Sequence, residues 1–170
     1  MAALFHLFLD ICLFRKGPQD VPASGALLWL CLIGYGLSGL AVLLAGFEPA
    51  LALLETVVEI ILLAGLCYGL LSLAHHRARF VQTLTTLAGT GALLTVMAFP
   101  LVIWIGQENA RHGQGMLSTL LFFGLVGWSL AVTAHVLRHA LSVSRTLGIL
   151  YATGYFVISI VMRELLFSGA

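Results

Sequence analysis

The stretch PALALLETVVEIILLAGLCYGLLSLA, residues 49–74, decides the fold. It is apolar for longer than the ~20 residues that a helix needs to cross a hydrocarbon core of about 30 Å. Glu48 followed by Pro49 is a helix-start signal, because the N–H that proline lacks would be unpaired in the first turn anyway. Only Glu55 and Glu59 carry charge within it. A segment of this length and polarity has lipid as its solvent.

Working outward, residues 25–46, 80–105, 116–137 and 146–167 are runs of the same kind, and short polar connections separate them. Ser24 stands where an N-cap is needed for the first of these runs, and Pro100 should kink the third. Composition agrees. Of the 170 residues 61% are hydrophobic and 9% charged, against about a quarter charged in a soluble domain. The expected fold is therefore all-α, a polytopic bundle of five transmembrane helices. A net charge of +1 offers no basic field for nucleic acid.

Residues 2–14 are apolar apart from His6 and Asp10, which sit four apart and share one helical face. This amphipathic stretch is too short to span, and it lacks the positive start and small-residue cleavage site of a signal peptide. It reads as an interfacial helix. Gly17, Pro18 and Pro22 then break the chain before the first span. The domain division is residues 1–24, interfacial helix and linker, and residues 25–170, the bundle. With the N-terminus in the cytoplasm, Arg15, Lys16, Arg77, Arg79, Arg138 and Arg145 lie inside and only Arg111 and Arg163 outside. The positive-inside rule selects that orientation, with the loop at residues 107–115 and the C-terminus outside.

The entry Leu13-Phe14-Arg15-Lys16-Gly17-Pro18, the five closely spaced spans and the final Leu147-Gly148-Ile149-Leu150-Tyr151-Ala152-Thr153-Gly154-Tyr155 resemble bacterial members of the Ypt-interacting (Yip) family in layout. The resemblance implies a five-helix bundle of a kind associated with membrane trafficking in eukaryotes, and it supplies no catalytic residue. In a bacterium the location would be the inner membrane.

Three groups of residues could carry function. Glu55 and Glu59 share one face of the second span, Glu59 roughly 15 Å along the helix from Pro49. A carboxylate at that depth costs several kcal/mol by most estimates, so it is expected to be protonated, paired or wetted by a cavity. Matching depths suggests that Glu55 pairs with Arg163 of the last span, which leaves Glu59 deeper with no cation at its level. Such an arrangement suits a proton or cation relay, or else simply fixes helix packing.

Gly65 and Gly69 form a G-x-x-x-G, and Gly69 lies roughly 40° from Glu55 on the helical wheel. With Gly34, Ser38, Gly124, Gly127, Gly148 and Ala152 it should mark close approaches between spans, and the Gly89 and Gly91 pair reads as packing. His135 and His139 sit four apart near the end of the fourth span, and His75 and His76 lie at the matching end of the second. If the four converged they could ligate zinc or a haem, although imidazoles flanked by arginines ordinarily meet water or headgroups. The cysteines Cys12, Cys31 and Cys67 are too scattered for a disulfide framework or a metal ribbon.

No hydrolase or nucleotide motif is present. The expected function is a non-enzymatic membrane scaffold or accessory subunit, partnered by lipid and by another membrane protein or a second copy, and without a cofactor. Two alternatives stay open: a small proton-coupled transporter or channel using Glu55 and Glu59, and a haem or metal oxidoreductase subunit using the histidines.

Overall fold

The computed structural model describes residues 2–110 and 115–167. Arg111 and the chain end, which enter the orientation argument above, lie outside the described residues. Among the described residues six α-helices follow one another: α1 (Ala2–Cys12), α2 (Gly25–Leu43), α3 (Pro49–Leu73), α4 (Phe80–Ala110), α5 (Met116–Leu141) and α6 (Arg145–Phe167). Short 3₁₀ turns at Pro18–Asp20 and Arg77–Arg79 precede α2 and α4. Helices α2 to α6 are each long and apolar enough to cross a bilayer, so the chain is an integral membrane protein of the all-α class.

Local chemistry sets the ends. The Ser24 hydroxyl accepts the Leu27 N–H at 3.4 Å as the α2 N-cap, and Pro49 opens α3 behind Glu48. Helix α4 runs continuously through Pro100 and ends later than the apolar run alone suggests. Helix α5 stops at Ser142, whose φ of 56° is the left-handed conformation that closes a helix terminus.

Burial is uneven along the bundle. Leu27 and Cys31 of α2, Leu63, Cys67 and Leu71 of α3, Leu84, Leu87 and Ala88 of α4, Val136 to Leu137 and Ala140 to Leu141 of α5, and Ala152 of α6 form one cluster. These positions lie near the start of α2, α4 and α6 and near the end of α3 and α5, so the tight core occupies one end of the bundle. Thr83, Thr85, Thr86 and Thr90 are buried there, each hydroxyl donating to the carbonyl four residues earlier. That leaves no hydroxyl unpaired in an apolar setting.

Helix α1 docks against this same end. Phe8, Ile11 and Cys12 are buried, while Phe5, Leu13 and Phe14 stay exposed. A Cβ at Gly89 would fall within 2.8 Å of the Phe8 ring, so the glycine provides the seat for that ring. The Trp128 indole N–H donates to the Cys12 carbonyl at 3.2 Å, and His135 Nε2 donates to the Lys16 carbonyl at 3.0 Å. Lys16 in turn pairs with Asp10 at 3.1 Å. The amphipathic segment is thus a packed element of the bundle, with an apolar outer face left for lipid.

The glycine expectations divide. Gly148 lies against α5, where a Cβ would meet the Ala134 carbonyl and Arg138 Cβ at 2.8 Å, and Ala152 is fully buried. Gly91 accommodates the Tyr35 ring, which a Cβ would approach at 2.9 Å. Gly65, Gly69, Gly124 and Gly127, and also Gly34, have nothing within 4 Å of the position a Cβ would take. Among the described residues nothing packs closely against them, contrary to the sequence expectation. The reason is rotational: α3 buries Ala52, Thr56, Leu63, Cys67 and Leu71, and at about 100° per residue Gly65 points to the opposite side of the helix.

Candidate intramembrane site

Toward the other end the helices part, and the polar residues of α3 and α6 face each other across the gap. On α3 Glu55 and Glu59 are four apart; on α6 Tyr155, Ser159 and Arg163 repeat at the same spacing, so each set occupies one face. The helices run in opposite directions, and the rungs match in that order. The Tyr155 hydroxyl donates to Glu59 Oε1 at 2.5 Å and the Ser159 hydroxyl donates to the same oxygen at 3.4 Å. One level further along, Arg163 Nε reaches Glu55 Oε1 at 2.9 Å. The Arg163 guanidinium also lies 5.1 Å from the Phe47 ring centroid, a cation–π contact that holds its outer side.

The two glutamates are therefore in different states. Glu55, 13% exposed, has its charge compensated by Arg163, which at 47% exposure reaches toward the surface. Among the described residues Glu59 has no cationic partner; its neighbours are the hydroxyls of Tyr155, Ser159 and Tyr35. The pairing that depth matching suggests for Glu55 and Arg163 is present, and it leaves Glu59 as the uncompensated acid.

Two cavities, about 270 and 350 Å³, meet at this carboxyl. Tyr35, Val42, Glu59, Thr95, Ser159 and Ile160 line both. The smaller extends to Glu55, Thr56 and Arg163, the larger toward Ser129, Thr133 and Phe156. Their walls are mainly apolar, with a few hydroxyls and, in Glu59, one acid that has no cationic partner among the described residues, the usual make-up of a small-molecule site.

Sequence reasoning named Glu55, Glu59 and Arg163 but missed Tyr35, Tyr155 and Ser159. The signal for two of them was available: Tyr155 and Ser159 precede Arg163 at intervals of four, so a helix that offers Arg163 to Glu55 offers them to Glu59. Tyr35 had no such marker, because its arrival depends on the clearance at Gly91.

The histidines do not converge. His135 and His139 stack edge to face with ring centroids 4.6 Å apart. His76 Nδ1 instead donates to the Ala74 carbonyl at 2.5 Å, and His75 sits at the end of α3 with φ 58°. Among the described residues no group of three or more His, Cys, Asp or Glu is placed to hold a metal ion. The four-imidazole site considered from sequence is therefore not assembled among the described residues. Comparison with known proteins adds no assignment: no family model, no curated protein and no solved structure matches the chain.

Proposed function

We propose that the protein is a small membrane carrier that exchanges a proton for a small, largely apolar cation at Glu59. The observation that carries this reading is the contrast between the paired Glu55 and the unpaired Glu59 at the junction of two cavities. A charge at that depth is costly unless compensated, so either a proton or a cation in the adjacent cavity must offset the carboxylate. Tyr155 and Ser159 fix Oε1 and so orient the carboxyl, for whose charge proton and cation compete. The Tyr35 and Phe156 rings and the apolar walls favour an organic cation over a hydrated metal ion. In this reading the N-terminus is cytoplasmic and the membrane is a bacterial inner membrane.

Proteoliposomes with a trapped pH dye test the reading. An inward gradient of tetraphenylphosphonium, used as the probe cation, should drive proton efflux through the wild type and not through Glu59→Gln. Equal fluxes in the two proteins, or none in either, would remove the carrier.

A second reading, a membrane scaffold or subunit of the Yip type, is favoured by the unoccupied glycines. Gly65 and Gly69 on α3 and Gly124 and Gly127 on α5 leave space for close approach by another membrane helix. Cross-linking that joins a second membrane protein at Gly65, and is lost in Gly69→Leu, would support it.

A further inference from the structure

A third cavity, about 270 Å³, lies at the α1 end, outside the intramembrane site. Its walls are the Pro18–Asp20 turn, the start of α4 and the end of α5, and Arg79, Gln82, Thr83, His139 and Ser142 supply its polar groups. We propose that this cavity binds a phosphate group of the kind carried by an anionic phospholipid.

Several contacts prebuild it. Arg79 Nη1 donates to the Ala140 carbonyl and to the Ser142 hydroxyl, both at 3.0 Å, which fixes one edge of the guanidinium. Its other N–H groups have no acceptor, and Arg79 forms no ion pair, among the described residues. The Thr83 hydroxyl donates back to the Arg79 carbonyl at 2.8 Å, and Gln82 Nε2 holds the Val21 carbonyl at 3.1 Å, joining the turn to α4. Ser142 keeps its place in a left-handed backbone conformation that side-chain-bearing residues rarely adopt. A pinned guanidinium beside a histidine and the Ser142 hydroxyl, which accepts from Arg79 and keeps its own proton to donate, is a donor set for a tetrahedral oxyanion, and Arg matches phosphate better than a point charge does.

The charges around the cavity are mixed: His139 has His135 and Arg138 beside it, and Asp20, hydrogen-bonded by the Gly17 N–H at 2.9 Å, is the acid near it among the described residues. Arg15, Lys16, Arg77 and Arg145 belong to the same end of the bundle, which therefore faces a leaflet where anionic headgroups are attracted. The cavity connects that surface to a specific acceptor. Its occupant would tie the linker, α4 and α5 together, so the ligand should stabilise the fold.

Melting of the purified protein in neutral detergent tests the proposal. Phosphatidylglycerol added to the micelles should raise the melting temperature and phosphatidylcholine should not. A parallel series with inorganic phosphate against chloride at matched ionic strength distinguishes the sources: protection by the lipid alone identifies a headgroup, and protection by phosphate as well identifies a soluble phosphate ligand. Arg79→Gln should abolish protection but also removes the clamp on Ala140 and Ser142. The decisive variant is Gln19→Glu, since Gln19 is exposed and forms no hydrogen bond among the described residues. It should melt like the wild type without ligand, yet need about tenfold more phosphatidylglycerol for the same protection, because it sets a like charge against the phosphate. Absence of protection by both lipid and phosphate, or an unchanged lipid requirement in Gln19→Glu, would overturn the proposal.

Discussion

Replacing Glu55 by glutamine leaves Arg163 in the bundle with its partner gone, and the cost can be bounded from the geometry. Two unit charges about 4 Å apart attract by about 4 kcal/mol at an effective dielectric constant near 20. The pair is asymmetric, however: Glu55 is 13% exposed and Arg163 47%, so the arginine can recover water or headgroup contacts once released. The coupling should therefore lie between the roughly 0–1 kcal/mol of surface pairs and the roughly 3–5 kcal/mol lost on breaking a buried one. We expect about 1–2 kcal/mol. Reversible unfolding in mixed micelles of the wild type, Glu55→Gln, Arg163→Gln and the double variant measures it as a double-mutant cycle. The double variant should lose less than the sum of the single losses by that amount. Additive losses would show that the 2.9 Å contact carries no energy and would refute the assignment of Glu55 as the compensated acid. In the same assay Glu59→Gln should stay within about 0.5 kcal/mol of the wild type, since the amide oxygen can still accept from Tyr155 and Ser159. A larger loss there than at Glu55 would reverse the roles of the two acids.

Cysteine introduced at Gln107 should react with an impermeant reagent in intact cells, and cysteine at Arg77 only after permeabilisation; the opposite pattern would invert the orientation. Gly148→Leu should cost about 1–3 kcal/mol by forcing α6 off the Ala134 carbonyl, whereas Gly65→Leu should leave unfolding of the monomer nearly unchanged; equal losses would mean that α3 packs on its other face. Native Cys12 is buried, which pushes its thiol up to about 11, so maleimide should label it slowly at neutral pH and faster as pH rises toward that value. Rapid labelling at pH 7 would show that α1 is not docked as described.

The spans were legible because lipid imposes a simple condition, a long apolar run with paired backbone groups, and the helix starts at Gly25, Pro49, Phe80 and Met116 coincide with the starts of those runs. Glu55, Glu59 and Arg163 were legible for the same reason, since charge at depth is costly and depth follows from residue count. Rotation was not legible. In a span that is apolar all round, hydrophobicity does not distinguish the face that meets protein from the face that meets lipid, so Gly65 and Gly69 were assigned to the wrong side. The docking of α1 depends on a ring-to-glycine fit between Phe8 and Gly89, and the position of Tyr35 on a similar fit at Gly91. Both join residues far apart in sequence, and neither has a periodic signature. The histidines were grouped by level in the membrane, and level alone does not bring side chains of different helices together.

The central claim is that proton and cation compete for the Glu59 carboxyl. Titrating the purified protein with tetraphenylphosphonium in weakly buffered detergent at pH 7, with a pH electrode, tests it most directly. The account predicts that binding releases about one proton per bound cation in the wild type, and that Glu59→Gln, folded to the same melting temperature, releases none. Binding without proton release in the wild type, or release of the same size from Glu59→Gln, would contradict it.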